Sequence, residues 1–261
     1  MRYLLTLIFA STLLFSCKNE AKKTTNAIEK MVNTKKYTIS PFSSSPSFPG
    51  ATLSNMAYKA GKFSFDVAGG GYELGSQTSD APQKMCANSG KGQHIHLIVD
   101  NKPYSAQYIS EFVYDVENGE HTILAFLSRS YHESIKSPGA SIVQKVTVVD
   151  KSITESADVP GPMLFYSRPK GTYTGDDTKK VMLDFFLKDV TLGNGYTVKA
   201  DINGEEHIID KWQPYFIEGL PMGENNITLT LLDKDGKPAN VDLNPVTRKF
   251  ILVGEPQEIN K

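Results

Sequence analysis

Cysteine is scarce in this sequence of 261 residues, which contains only Cys17 and Cys86. Two cysteines exclude the disulfide framework that holds many small secreted domains together. Stability must therefore come from the burial of a hydrophobic core. The composition allows this, because 39% of the residues are hydrophobic and 10% are aromatic, as in an ordinary globular protein of one or two domains.

An excess of either charge is also missing. The sequence has 28 Lys and Arg against 29 Asp and Glu, which gives a formal net charge of -1. A basic footprint for nucleic acid is therefore absent, and nucleic acid is excluded as an expected partner. Beyond the N-terminus no second long hydrophobic run occurs, so no membrane-spanning segment is expected there.

Familiar catalytic motifs are lacking as well. The sequence contains no Gly-x-Ser-x-Gly elbow, no His-Glu-x-x-His helix and no glycine-rich phosphate loop that ends in Lys-Ser or Lys-Thr. These absences favour a non-enzymatic protein, and we predict a binding or scaffold module.

The N-terminus has the form of a secretory signal. A positive start is followed by an apolar run over residues 3–15, which is too short to span a bilayer, and we predict a signal peptide over residues 1–16. Ser16 and Cys17 resemble the lipobox of bacterial lipoproteins, which implies lipidation of Cys17. Residues 18–20 resemble the charged tether of Bacteroidetes lipoproteins. The expected location is the cell envelope, with the lipid in the outer membrane and the protein on its periplasmic or its surface face.

The next segment is polar. Residues 17–48 are rich in Lys, Thr, Asn and Ser and contain few groups that a core could bury. We therefore expect the lipidated cysteine to be followed by a flexible linker that ends at residue 48.

From residue 49 onward, short apolar alternations separated by Gly, Asn, Asp and Pro predict β-strands. The predicted strands are 62–67, 93–100, 122–127, 143–149, 181–187, 196–202, 227–232 and 249–253. No stretch keeps a helical period over a dozen residues. The pattern predicts an all-β protein built of antiparallel sandwiches.

An internal repeat indicates two copies of one fold. Residues 92–100 align with 195–203, and residues 116–127 align with 220–231 at nearly the same offset. A unit of about a hundred residues is typical of immunoglobulin-like sandwiches. We predict two tandem immunoglobulin-like domains, the first over residues 49–158 and the second over residues 159–261, with a hinge at residues 160–162.

The two copies differ on one face of the first aligned strand. Because side chains alternate along a strand, Ile95, Leu97 and Val99 face the core, as do Val198, Ala200 and Ile202 in the second copy. The opposite face then carries His94 and His96 in the first copy, where the second has Thr197 and Lys199. Leu124 and Phe126 also point outward. Such an apolar face predicts cover by a loop, the other domain or an envelope partner.

The outward histidines are the strongest chemical signal in the chain. Imidazoles at i and i+2 on a strand share one face and can chelate a metal, and His132 follows the neighbouring strand. We predict a copper or zinc site at His94, His96 and His132, with His121 and Cys86 as further candidate ligands. The repeat places His121 toward the core side. The alternative is a set of half-buried histidines that bond backbone and Ser or Glu groups.

Residues 94–100, the Gly-Glu-His-Thr run at 119–122 and His132 resemble a histidine-rich bacterial envelope domain of unknown function. That family pairs a histidine-rich strand ending in Asp with such a strand start and a later histidine. The resemblance covers residues 90–138 and implies a β fold. With residues 127–133 and 212–221, the whole chain also resembles uncharacterised lipoproteins of Bacteroidetes.

A second function stays open at the loop that holds His132. Ser128, Arg129 and His132 are similar to the Ser-Arg-x-His loop of forkhead-associated domains, although one extra residue separates Arg129 from His132. That resemblance implies a phosphopeptide-binding or protein-interaction module in which Ser128 and Arg129 bind the phosphate.

Overall fold

The computed structural model describes residues 35–254. The strands are β1 (Thr38–Pro41), β2 (Thr52–Lys59), β3 (Lys62–Ala68), β4 (His94–Val99), β5 (Ser105–Gln107), β6 (Glu111–Val113), β7 (Gly119–Ser128), β8 (Ser141–Val149), β9 (Ser152–Asp158), β10 (Met163–Arg168), β11 (Gly171–Thr174), β12 (Val181–Lys188), β13 (Thr197–Ile202), β14 (Glu205–Ile209), β15 (Tyr215–Glu218), β16 (Gly223–Leu232) and β17 (Val246–Val253). The signal peptide predicted over residues 1–16 and Cys17 lie outside the described residues.

Helix is minor, as predicted. Within residues 35–254 the helices are two short 3-10 turns, Ala81–Gln83 and Gly175–Thr178. In this part of the chain, no helix has the length and apolar character needed to cross a membrane.

The first sandwich is built from two sheets. A sheet ordered β2-β3-β6 faces a sheet ordered β5-β4-β7-β8-β9, and all neighbouring strands are antiparallel. Phe63 and Phe65 from one sheet pack in the same core as Ile95, Leu97 and Ile123 from the other. The alternation of apolar residues therefore places one face of each sheet inside, and the all-β prediction is confirmed.

The second sandwich is also built from two facing sheets, but its smaller sheet has four strands instead of three. Its sheets are ordered β1-β15-β12-β10 and β11-β17-β16-β13-β14. The pairs are antiparallel except β11 with β17, which is parallel. Leu183 and Phe185 pack against Val198 and Leu229 between the sheets.

The register of the strands confirms the repeat. In the first sandwich Ile95 lies opposite Leu127 and Val99 opposite Ile123. In the second, the aligned residues pair in the same way, with Val198 opposite Leu231 and Ile202 opposite Ile227. Gly119 and Gly223 begin the equivalent strands β7 and β16. The face toward the core was therefore correctly predicted in both copies.

The predicted flexible linker differs from the structure in its described part. Thr38–Pro41 pairs with β15, with Ile39 opposite Ile217. Tyr37 is buried in the second core, and Phe42 lies 4.5 Å from Phe216 between ring centroids. The prediction of a linker up to residue 48 was wrong here, because these three apolar side chains add an edge strand to a sheet that lies more than a hundred residues away in sequence.

The apolar outer face of the first sandwich is covered by the second. Leu124 and Phe126 of β7 pack with Met163, Phe165 and Phe186, and the rings of Phe126 and Phe186 stack at 5.4 Å. The strands on the two sides of residues 160–162, the predicted hinge, therefore belong to sandwiches that share a third hydrophobic cluster. Of the three covers expected for this face, a loop, the other domain or a partner, the structure shows the other domain.

Candidate metal site

Strand β4 presents His94 and His96 on the face that meets the second sandwich. Both side chains are fully buried, at 0% exposure. Their position follows from the alternation of the strand, because Ile95 and Leu97 occupy the core side. The second sandwich has a partly buried Thr197 at the aligned position. The histidines are therefore a feature of the first copy alone.

His132 reaches the same place from a tight turn after β7. Its backbone φ is +71°, a left-handed conformation that is uncommon for a residue with a side chain. Two hydrogen bonds hold the turn, because the amide of His132 donates to the carbonyl of Arg129, and the amide of Arg129 donates to the carbonyl of Glu133. This turn directs the imidazole inward, and backbone strain of this kind is common at functional sites.

The ring nitrogens of the three histidines converge. Nε2 of His94 lies 2.8 Å from Nε2 of His96 and 3.0 Å from Nδ1 of His132, and the third side of this triangle is 3.5 Å. A zinc ion about 2.0–2.1 Å from each of three tetrahedral ligands holds them about 3.3 Å apart. Two sides of the triangle are shorter than this value by about 0.3–0.5 Å and the third is longer by about 0.2 Å, so the triangle is close to the size of such a site.

Hydrogen bonds outside the triangle orient two of the rings. Nδ1 of His94 donates to the carbonyl of Gly92 at 2.8 Å, which leaves the lone pair on Nε2. Nδ1 of His96 lies 3.3 Å from Oγ of Ser167, a residue of β10 in the second sandwich. Such partners on the outer nitrogen are typical of histidines that ligate metals.

The environment keeps these histidines neutral. Burial lowers the pKa of His94 to about 4. Burial also lowers the pKa values of His96 and His132 well below 6.5, and the nearby charge of Arg168 acts in the same direction. Neutral imidazole is the form that binds metals, so the cluster is ready to bind at neutral pH.

The surroundings of the cluster are aromatic and cationic. The ring of Tyr104 stacks on His96 at 3.6 Å and 8°, and its hydroxyl lies 3.3 Å from Nδ1 of His132. Nζ of Lys170 lies 4.1 Å from the centre of the Tyr104 ring. Arg168 is buried, with its Nε and Nη2 bonded to the hydroxyl of Tyr173.

Two of the predicted metal ligands do not join the cluster. His121 uses both ring nitrogens elsewhere, on the carboxylate of Asp100 and the carbonyl of Glu117. Cys86 packs among apolar side chains, including Phe42, and burial raises the pKa of its thiol to about 12. The prediction was wrong for these two residues because it grouped them by nearness in sequence, whereas their strands and turns direct them away from the triangle.

The predicted phosphate ligands are also used within the fold. Ser128 is fully buried, and its hydroxyl donates to the backbone carbonyl of Arg129. The guanidinium of Arg129 is 7% exposed, bonds the carbonyl of Pro46 and lies 3.5 Å from the carboxylate of Glu133. An incoming phosphate would have to displace these partners, so the geometry does not offer a phosphopeptide surface at this loop.

Sequence reasoning missed five residues beside the cluster: Tyr104, Tyr108, Ser167, Arg168 and Lys170. Three of them belong to the second sandwich or its first turn and are about seventy residues from β4 in sequence. Their residue types form no recognisable spacing with the histidines. Only the packing of one sandwich on the other brings them together.

No family model and no curated protein matches the chain. Among solved structures, it is similar to the fibronectin(III)-like modules of CbhA from Clostridium thermocellum, with 15% identity and a TM-score of 0.28, over 35% of this chain and 98% of that one. It is also similar to a Ca2+-stabilized adhesin that helps an Antarctic bacterium bind ice, with 12% identity and a TM-score of 0.23, over 81% of this chain and 50% of that one. The central fibronectin-III array of RIM-binding protein matches at 9% identity and a TM-score of 0.26, over 82% of this chain and 74% of that one. These similarities concern the β-sandwich fold alone.

Proposed function

We propose that this protein is a non-enzymatic binding module of the cell envelope that holds one copper or zinc ion at His94, His96 and His132. The observation that carries the proposal is the convergence of three ring nitrogens, all within 3.5 Å of one another. The same three residues form the candidate metal-binding group of the described part of the chain.

A hydrogen-bonded cluster explains the geometry less well than a metal does. With its proton on Nδ1, His94 has one lone pair on Nε2, which can accept one good hydrogen bond. Two imidazole nitrogens nevertheless approach that atom, at 2.8 and 3.0 Å. A metal ion accepts the lone pairs of all three rings at once, so each nitrogen gains a partner.

The repeat supplies independent support. The second sandwich forms the same strand pairing with Thr197 and Lys199 on the corresponding face. The fold therefore does not require histidines there. Burial of the three imidazoles also favours their neutral form. The neutral form is needed for metal binding, whereas packing alone does not require a histidine at these positions.

The donor set favours copper or zinc over harder cations. Imidazole suits zinc and copper, whereas calcium and magnesium prefer carboxylate and carbonyl oxygens. Three ring nitrogens meet in this cluster, and no carboxylate or thiolate belongs to it among residues 35–254. Copper(II) is expected to bind more tightly than zinc, following the usual order of affinities.

The envelope location rests on the N-terminal sequence. Ser16 and Cys17 resemble a lipobox, and a lipid on Cys17 would hold the module at the outer membrane. Because Lys36 and Tyr37 bond Glu205 through their amides, the chain joins the compact part of the molecule at about residue 36.

The test is calorimetric titration of copper(II) and of zinc into the metal-free, full-length protein purified without a histidine tag. We expect one ion per chain and a loss of affinity of about a hundredfold or more in His132→Ala and in His94→Ala/His96→Ala. His121→Ala is the matched control, because it removes a histidine that lies outside the triangle. Equal affinity in the wild type and the cluster variants would contradict the proposal.

A further inference from the structure

Positive charge surrounds the three-histidine cluster without a matching acid. Arg168 is 5% exposed, and its Nη1 has no hydrogen-bond partner among the described residues. Its other nitrogens bond a neutral acceptor, the hydroxyl of Tyr173. A buried guanidinium normally pairs with a carboxylate, so this arrangement leaves donor capacity and charge uncompensated.

Lys170 adds a second cation at the same place. Its ammonium lies over the ring of Tyr104, which in turn stacks on His96. The charges of Arg168 and Lys170 both lower the pKa values of all three histidines, in addition to the larger effect of burial. Asp177 interacts with Arg168.

A divalent ion held by neutral imidazoles would bring two more positive charges to this site. Buried charge of one sign is strongly unfavourable unless an opposite charge accompanies it. Three protein ligands also leave a fourth position of a tetrahedral metal open. Both requirements are met by one group, an anion bound to the metal.

We propose that the metal site takes a small anion as its fourth ligand, and that Arg168 and Lys170 select for its negative charge. This inference rests on the proposed metal site. The anion must be small, because His94 and His96 are fully buried. The cluster is bordered by side chains that are themselves partly buried, namely His132, Tyr108 and Lys170, which leave little room for a larger group. A simple carboxylate or a triatomic anion such as azide has the required size and charge.

The two cations have different parts in this site. Arg168 is fixed by Tyr173 and is part of the buried interior, so it sets a constant positive potential. Lys170 is only partly buried. Removing the charge of Lys170 is therefore the cleaner experiment, since the fold depends on it less.

The experiment uses the full-length protein loaded with cobalt(II), whose visible spectrum reports the number and type of its ligands. Azide and acetate are titrated into the loaded wild type and into Lys170→Met and Lys170→Arg. We expect saturable spectral changes in the wild type, anion affinity about tenfold weaker in Lys170→Met, and recovery in Lys170→Arg. Lys91→Met is the matched control, because it removes an equal charge from a lysine whose ammonium lies 5.5 Å from the centre of the Tyr108 ring and not over Tyr104.

The outcomes separate the two proposals. Cobalt binding with no anion response, or with equal anion affinity in wild type and Lys170→Met, overturns the anion site and leaves the metal site standing. No cobalt, zinc or copper binding in the wild type overturns both. Arg168→Lys provides a second measurement in which charge is kept, and it should weaken anion affinity less than Arg168→Met at equal metal content.

Discussion

At the scale of single residues, the same side chain has different roles according to what it contacts. His121 has a partner for each ring nitrogen, the carboxylate of Asp100 and the carbonyl of Glu117. His94 has such a partner only on Nδ1, and its Nε2 faces two other imidazoles. The first arrangement is complete without a ligand, whereas the second brings three ring nitrogens within 3.5 Å of one another.

The buried histidines should make the metal-free protein sensitive to acid. Unfolded histidines titrate near pH 6.5, whereas burial lowers the pKa of His94 to about 4. Between these values the unfolded chain binds more protons than the folded one, so the free energy of unfolding falls as the pH drops through this window. The loss from His94 alone is on the order of 2 kcal/mol at pH 5 and on the order of 3 kcal/mol near pH 4, from about 1.4 kcal/mol per pKa unit.

Urea unfolding at pH 7.5 and at pH 5, with chelator present, measures this effect. His94→Ala should reduce the pH dependence by the share of this one ring, because His96 and His132 keep their own contributions. A wild-type stability that is equal at the two pH values would show that these rings protonate freely in the folded state.

Cys17 should decide where the protein is found. If its thiol carries the lipid, Cys17→Ser moves the protein from the membrane fraction to the soluble fraction and abolishes labelling by a radioactive fatty acid. Cys86→Ser is the control, because Cys86 is buried within the fold. Membrane association that survives in Cys17→Ser would contradict the lipid anchor.

At the scale of elements, the most informative strand is β1. It comes from the polar N-terminal segment and extends the sheet of β15, β12 and β10 in the second sandwich. Tyr37 enters the core of that sandwich, and Phe42 packs with Tyr131 and Phe216 at its side. The four strand residues, with one buried ring before them and one after them, hold this segment against the second sandwich.

Phe42→Ala tests whether β1 is part of the stable fold. Removal of a buried phenylalanine ring typically lowers the free energy of unfolding by about 3–5 kcal/mol, and this partly enclosed site should lie near the lower end. Thr38→Ala, at an exposed position of the same strand, should change it by less than about 0.5 kcal/mol. The comparison is made by denaturant unfolding of both variants. An unchanged unfolding midpoint in Phe42→Ala would mean that residues 36–48 do not contribute to the stability of the fold and act as a linker.

At the scale of the whole molecule, the candidate site depends on how the two sandwiches pack. Phe126 and Phe186 stack across the contact, and Asn101 of the first sandwich donates to the carbonyl of Leu164 in the second. Ser167 reaches His96 from the same strand, β10. The hydrophobic cluster shared by the two sandwiches therefore positions Ser167 and Arg168 of β10 beside the histidines.

Phe186→Ala should lower metal affinity as well as stability. Truncating this ring loosens the contact that positions Ser167 and Arg168, so we expect metal affinity to fall by about tenfold, as for other losses of outer partners. Phe65→Ala removes a buried ring from the core of the first sandwich, away from the contact, and should lower stability alone. Calorimetry at a temperature where both variants are folded distinguishes them, and equal metal affinity in the two would mean that the site belongs to the first sandwich by itself.

The sequence by itself determined eight of the seventeen strands within residues 35–254, the faces of β4 and β13, the repeat and the pair of histidines on one side of β4. Each of these depends on residues that are near one another along the chain, where the alternation of a strand fixes which side chains share a face. Only the tertiary structure decided that β1 joins the second sandwich, that His121 and Cys86 stay outside the cluster of three histidines, and that Arg168 and Lys170 lie beside it. These contacts depend on turn geometry and on the packing of one sandwich against the other, which leave no periodic pattern in the sequence.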